Sequence, residues 1–162
     1  MKRAAALSSC LTALIVASGL SVGYPAHAAS MDWSCYGRFA KVLKQRDFPG
    51  ADCARSKVDI QFLGATPQGK DRYLVYQYAY EDDPRKIGGV QAHALKRILI
   101  FKNSIANYLG GYVMDAGFKA KLEGNRIRVL TDRPNEDGTI EIGPAGPPET
   151  AFYGGDMQSF DR

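Results

Sequence analysis

Histidine and cysteine are scarce in this sequence, and their scarcity excludes several kinds of site. The 162-residue chain has two histidines and three cysteines. His27 lies in a segment that reads as an export signal, which leaves His93 for the mature protein. One histidine excludes a metal site built on two, and no Cys/His cluster with zinc-site spacing is present. We therefore expect no metal and no cofactor, and we expect His93 to be a solvated loop residue.

Motifs of several enzyme classes are also missing. No G-x-S-x-G sequence marks a nucleophile, and the glycine pairs lack the spacing and following helix of a nucleotide-binding loop. The adjacent carboxylates of 81–83 lack the fixed separation that glycosidases need. Segment 132–138 matches a calcium loop at three positions, but Arg133 and Pro144 fall where ligands are required, so a hairpin turn is expected instead.

Excess charge is small once the N-terminal segment is set aside. The first 28 residues hold two of the 21 basic residues and none of the 17 acidic ones, which leaves 19 basic and 17 acidic residues, a net charge of +2. No run of Lys and Arg interleaved with aromatic residues is present. We therefore expect no nucleic-acid partner.

The N-terminal 28 residues have the pattern of a secretory signal peptide. Lys2 and Arg3 precede an apolar stretch over 4–22, and Ala26 and Ala28 provide the small residues of a cleavage site. Cleavage after Ala28 leaves a mature domain without a membrane span.

Two alternatives to cleavage remain open for this segment. The apolar stretch has about the 20 residues that cross a bilayer, so it could serve as an uncleaved anchor. Cys10 follows Leu7-Ser8-Ser9 as a lipidated cysteine would, although most of the apolar stretch comes after it. Cleavage is favoured because the Ala26–Ala28 box is well placed.

Cys35 and Cys53 are the two cysteines that remain, and they predict one disulfide. Closing a loop over 18 positions stabilises a fold by about 3 kcal/mol in the chain-entropy model. The alternative, a redox-active pair, would be expected as C-x-x-C. A structural disulfide indicates the periplasm or the extracellular space.

Residues 29–162 predict a single α+β domain. Tyr36, Phe39, Ala40 and Leu43 share one helical face, with Asp32 as the N-cap. The rest alternates with a period of two, which predicts six or seven short strands. Short connections favour an antiparallel, curled or partly closed β-meander with the N-terminal helix packed on it.

Some local features are more specific. Residues 95–102 are apolar on both faces, which predicts a central strand, and the glycine pair 110–111 suggests a bulge or a close crossing of strands. Residues 151–153 predict a last short strand, after which the chain is expected to trail off.

Tyrosines supply the candidate binding face. One side of a strand carries three of them, and another strand carries two more: Tyr76, Tyr78, Tyr80, Tyr108 and Tyr112. Tyrosine offers apolar area and a hydroxyl group, which suits contact with a partner protein or with sugar rings. The alternative is that these rings fill the core as cross-strand aromatic pairs.

These observations favour a small exported binding or accessory protein without catalysis, such as an inhibitor of an envelope component or an adaptor to one. Its expected partner is an envelope protein or glycan. One alternative is a small hydrolase that uses His93 or a carboxylate such as Asp83. Another is a structural component of the envelope or matrix.

Overall fold

The described residues form mostly antiparallel β-sheet with one short α-helix. The computed structural model describes residues 33–46, 48, 53–67, 70–88 and 93–162. A 3₁₀ helix at Ser34–Phe39 leads into α1 at Ala40–Gln45, and a second 3₁₀ turn spans Pro134–Glu136. The strands are β1 Ser56–Ala65, β2 Tyr73–Asp82, β3 Ala94–Lys102, β4 Tyr108–Met114, β5 Lys119–Glu123, β6 Arg126–Leu130, β7 Gly138–Glu141, β8 Thr150–Tyr153 and β9 Asp156–Ser159.

In the part of the chain that the structure describes, nine strands in three sheets replace the predicted six or seven in one meander. The sheets have the orders β1-β2-β3-β4, β5-β6-β7 and β8-β9, and every pairing within them is antiparallel. The extra strand at the C-terminus arises because the chain turns at Gly154–Gly155 and pairs back on β8. The expectation that the chain trails off after Tyr153 was therefore wrong.

The three sheets lie edge to edge around a shared core. β4 meets the segment just after β9 through Gly111 and Asp161, whose N–H groups each donate to the other's carbonyl at 2.8 Å. β7 lies beside β8, and β1 lies beside β5. Between β2 and β5, the Ala120 N–H donates to Gln77 Oε1 at 3.3 Å.

The two glycines of β4 permit close backbone approach on two sides, Gly110 to the segment just after β9 and Gly111 to β3. A Cβ on Gly111 would lie 2.0 Å from the Ile98 carbonyl oxygen, and one on Gly110 would lie 2.4 Å from the Asp161 carbonyl oxygen. The β3–β4 register also shifts between Ile100 and Phe101. The pair therefore marks both a close crossing and a bulge, as the sequence suggested.

One core fills the space inside the sheets. It is built from the inward residues of seven strands and of the segments that join them: Tyr73, Val75, Ile98, Ile100, Tyr112, Met114, Phe118, Ala120, Ile127, Val129, Ile140, Ile142, Ala151, Tyr153 and Phe160. On β6, buried Ile127 and Val129 alternate with exposed Arg126 and Arg128, which is the expected pattern of a strand with one face in the core.

A second apolar cluster lies on the outer face of the first sheet. There Tyr36, Phe39, Leu43 and Phe48 pack against side chains of β2, β3 and β4. The Phe39 ring is 5.6 Å from the Phe101 ring, centroid to centroid. The first sheet is therefore apolar on both faces.

The helical segment differs from the single regular helix that the sequence predicts. Gly37 has φ 54° and ψ −127°, which kinks the chain, and only the six residues Ala40–Gln45 are α-helical. Glycine adopts this backbone conformation without the steric cost that a side chain brings. Tyr36, Phe39 and Leu43 are nevertheless buried together, and the predicted N-cap Asp32 lies outside the described residues.

The predicted disulfide between Cys35 and Cys53 is confirmed, with the two Cα atoms 5.6 Å apart. The Cys35 N–H also donates to Cys53 Sγ at 3.1 Å. The bond links the 3₁₀ helix to the residues just before β1. It is consistent with an oxidising, exported location.

The predicted signal peptide, its cleavage site and Cys10 lie outside the described residues. In the part of the chain that the structure describes, every helix is too short and too polar to cross a membrane.

Loss of the disulfide should destabilise the protein measurably. Replacement of Cys35 and Cys53 by serine is expected to lower the free energy of unfolding by about 3 kcal/mol, because the unfolded chain regains the entropy of an open 18-residue loop. Denaturant titration checks the change. Reductant should lower the wild-type value to that of the double variant and leave the variant unchanged. Equal stabilities of the oxidised wild type and the double variant would contradict the prediction.

Candidate functional site

Three of the five candidate tyrosines lie beneath the helical segment. Tyr76, Tyr78 and Tyr108 are each at most 5% exposed. The Tyr36 ring stacks on the Tyr78 ring at 5.8 Å, and their hydroxyl oxygens are 3.1 Å apart. The helical segment covers these rings because the outer face of the first sheet, which they share, is apolar.

Tyr112 lies on the opposite side of the first sheet, in the inner core. Its hydroxyl donates to the Pro148 carbonyl, and its ring is 5.1 Å from the Phe160 ring. Tyr80 is half-buried, with its ring 6.2 Å from that of Tyr78. Four of the five rings therefore fill the cores, which is the alternative interpretation of the tyrosine pattern, and the five do not share one exposed surface.

Burial changes the acidity of these phenols. It raises the pKa of Tyr108 to about 12 and is the largest cause of that change. Burial likewise raises the pKa of Tyr112 and of Tyr153 well above the ordinary value of 10.0. A neutral phenol can donate a hydrogen bond, as Tyr153 does to the Val113 carbonyl at 2.6 Å. The hydroxyl groups of Tyr112 and Tyr153 therefore act as structural donors at neutral pH.

The acidic residues at the end of β2 have local partners. Asp82 accepts hydrogen bonds from Ser56 Oγ and from the His93 N–H, the latter at 3.2 Å. Arg85 contacts both carboxylate oxygens of Asp83, at 3.1 and 3.2 Å, and holds the pKa of that carboxyl below its usual range. Asp83 is therefore kept ionised, which does not suit a general acid.

The segment that resembles a calcium loop is a structural turn. Asp137 Oδ1 accepts from the Thr131 N–H at 2.7 Å, and Arg133 pairs with Glu136 at 2.9 Å. Among the described residues, no group of three or more His, Cys, Asp or Glu side chains is placed to hold a metal ion.

An exposed apolar patch lies on the β8–β9 hairpin and the neighbouring β4. Phe152 and Met157 face each other across the hairpin and are 56% and 62% exposed. Val113 on β4 is 40% exposed, and the Gly111–Asp161 pairing places its strand beside β9. We call these three residues the hairpin patch. Adjacent apolar side chains left in water commonly mark a contact surface.

The residues on either side of the β8–β9 hairpin, which carries most of the hairpin patch, are held by contacts with the rest of the fold. Phe160 enters the inner core just after β9, and Asp161 forms an ion pair with Arg97. Arg97 is only 4% exposed and lies under the Phe48 ring, with its guanidinium carbon 5.3 Å from the ring centroid. Arg162 pairs with Glu149 just before β8. A partner would therefore meet a largely preformed surface.

The described residues border clefts large enough for a small ligand. One of about 310 Å³ is bordered by charged residues of β1, β2 and β3, including Lys57, Asp59 and Lys96. Lys96 Nζ donates to the carbonyls of Ala116 and Phe118 at 2.6 and 2.7 Å. A second cleft of about 600 Å³ is lined by Thr66, Pro67, Lys70, Asp71, Tyr73, Asn125, Ile142, Gly143 and Pro144. Both volumes lie within the usual range for small-ligand sites, about 300–1,000 Å³.

Sequence reasoning missed the hairpin patch. Alternation around Ala151, Phe152 and Tyr153 shows that Phe152 faces away from its neighbours, but not which side is the core. The signal that could have found the patch is the glycine pair 154–155. A tight turn there predicts a hairpin and places Phe152 opposite Met157.

Comparison with known proteins gives no relative from which a function could be transferred. No family model, curated protein or solved structure matches the chain.

Truncation of Tyr78 should test its place in the core. The side chain is fully buried, so Tyr78→Ala is expected to lower the free energy of unfolding by about 3–5 kcal/mol, as for other large aromatic deletions. Phe152→Ala is the matched control and should change stability by less than about 1 kcal/mol because that ring is exposed. Denaturant titration measures both. Similar small losses in the two variants would place Tyr78 at the surface.

Alkaline titration should reveal the buried phenols. The pKa of Tyr108 is raised in the folded state, so the stability linked to this group is full below pH 10.0 and is lost as the pH rises through about 12. Phenolate absorbance of the folded protein should therefore lag behind that of the denatured protein. Tyr108→Phe should reduce both the lag and the alkaline loss of stability. Coincident titration curves would contradict the burial of these rings.

Proposed function

We propose that this chain is a small exported, non-catalytic binding or accessory protein that contacts an envelope protein through the hairpin patch. The observation that carries the proposal is the pair Phe152 and Met157, which face each other with more than half of each side chain in water. Burying such a side chain contributes about 1.5–3 kcal/mol. Two adjacent side chains can therefore form the centre of an interface.

Export is supported by two features of different kind. The disulfide between Cys35 and Cys53 is stable in oxidising compartments, and residues 1–28 have the pattern of a signal peptide. The periplasm or the extracellular space is therefore the proposed location, and an envelope protein is the proposed partner. An inhibitor or an adaptor would both use such a surface.

A glycan partner is the second candidate, and the cleft of about 600 Å³ favours it. Its lining combines the exposed prolines Pro67 and Pro144 with the polar side chain of Asn125. Sugars are bound by such mixtures of apolar surface and fixed polar groups. This cleft and the hairpin patch involve different residues, so the two candidates can be separated by mutation.

Affinity capture tests the proposal. The immobilised, oxidised protein would be incubated with envelope extract and, separately, with purified cell-wall glycan, and the retained species identified by mass spectrometry. We expect one stoichiometric protein partner. Phe152→Gln combined with Met157→Gln should abolish its retention, because the variant leaves no large apolar group at the centre of the patch.

Phe62→Gln is the matched control, since Phe62 is 51% exposed but lies on β1. It should retain the partner, and denaturant titration should show that the variants stay folded. A partner that binds the double variant as well as wild type would overturn the role of the hairpin patch. Retention of glycan alone, unaffected by the double variant, would favour the cleft.

A further inference from the structure

The outer face of β5 and β6 carries three basic side chains that we call the basic face. Lys119, Lys121 and Arg128 are exposed, while their strand neighbours Ala120, Ile127 and Val129 are buried. Lys119 and Lys121 lie two residues apart on one strand, so their Cα atoms are about 6.6 Å apart along it. All three cations therefore project to the same side of the sheet.

The strand register places two of these charges directly opposite each other. Lys121 pairs with Arg128, whereas the next pair on the same face is Glu123 with Arg126. Side chains opposite each other in an antiparallel pair have Cβ atoms about 4.5–5.5 Å apart, and like charges in this position destabilise the sheet. This arrangement contributes nothing favourable to folding, and it concentrates positive charge.

Two carboxylates, those of Glu123 and Glu141, lie on the same face, but neither forms an ion pair with the three cations. Arg126 pairs with Glu141 at 3.9 Å, but within the described part of the chain no ion pair includes Lys119, Lys121 or Arg128. Arg128 lies opposite Thr139 on β7, a neutral residue. The charge of the three cations is therefore available to an external anion.

The basic face is also free of exposed large apolar side chains. Among the described residues, those side chains are Phe62, Val113, Phe152 and Met157, which lie on β1, β4, β8 and β9. Proteins that bind a membrane surface commonly combine basic residues with apolar ones that enter the lipid. A charged face without exposed large apolar side chains fits a hydrated anionic chain better than a bilayer.

We propose that the basic face binds a linear acidic polysaccharide through Lys119, Lys121 and Arg128. The three cations form a compact group that one polymer segment can contact at once. Bound carboxylates would offset the repulsion between Lys121 and Arg128, so binding would relieve a strain of the free protein. The choice of a polysaccharide among polyanions depends on the proposed exported location, while the anion-binding face itself depends only on geometry.

Binding of fluorescently labelled alginate, a polyuronate, tests the proposal. The protein should bind alginate in a salt-dependent way and should not bind neutral dextran. Lys121→Glu should weaken alginate binding by about tenfold or more, because it removes one cation and adds an anion at the centre of the group. The same variant should unfold at a temperature no lower than wild type, because an opposite-charge pair replaces a like-charge pair.

Lys41→Glu is the matched control, since Lys41 is exposed on α1 and the change in net charge is identical. It should bind alginate almost as well as wild type. Equal weakening by the two variants would show that only net charge matters and would overturn the proposal. A Lys121→Glu protein that binds normally, or a wild-type protein that does not bind at low salt, would overturn it as well.

Two further comparisons separate this proposal from others. Binding to phosphatidylglycerol vesicles without binding to alginate would overturn it in favour of a membrane surface. The Phe152→Gln/Met157→Gln protein should still bind alginate, because the hairpin patch and the basic face lie on different strands. Loss of the protein partner with retained alginate binding therefore tests the proposed function separately from the basic face.

Discussion

The two-sided apolar character of the first sheet is the constraint on which the rest of the structure depends. Val75 and Ile100 point into the inner core, while Tyr76 and Phe101 point outward, and all four are buried. Each face must be covered, since exposed apolar area costs about 25 cal/mol per Å². The strands β5 to β9 cover the inner face. A short helical segment covers the outer face, and so short a cover needs the disulfide that ties it to the sheet.

The way in which the two faces of the first sheet are covered determines which surfaces are free for binding. Residues on both faces of β2 and β3 are committed to packing, and the tyrosines of β2 are absorbed there. In contrast, β5 to β8 have only one face in the core and β9 has no buried residue, so the outward positions of these strands take little part in core packing. Those positions hold basic side chains on β5–β6 and apolar ones on β8–β9. The two proposed contact surfaces both follow from this asymmetry.

Sequence patterns predicted the secondary-structure elements better than the tertiary contacts that those elements make. The apolar run 95–102 indicated a central strand, and β3 lies between β2 and β4 with both faces covered. Alternation could show that Tyr76 and Tyr78 share a face, but it could not show that the helical segment lies over them, because that contact is between residues far apart in the chain. Similarly, Gly37 breaks a helix that the spacing of Tyr36, Phe39 and Leu43 predicts. The hairpin patch and the basic face depend on strand register, which composition does not reveal.

The last residues of the chain determine where the hairpin patch is held. Phe160 fills the inner core against Tyr112, and Asp161 joins the backbone of Gly111 and the buried Arg97. A buried arginine is costly unless its charge is paired, so the Asp161 carboxylate stabilises the core as well as the hairpin. Because Arg97 also lies under Phe48, this one ion pair connects the outer cluster to the strand that carries Met157. The Arg97–Asp161 ion pair therefore stabilises both the core and the position of the hairpin patch.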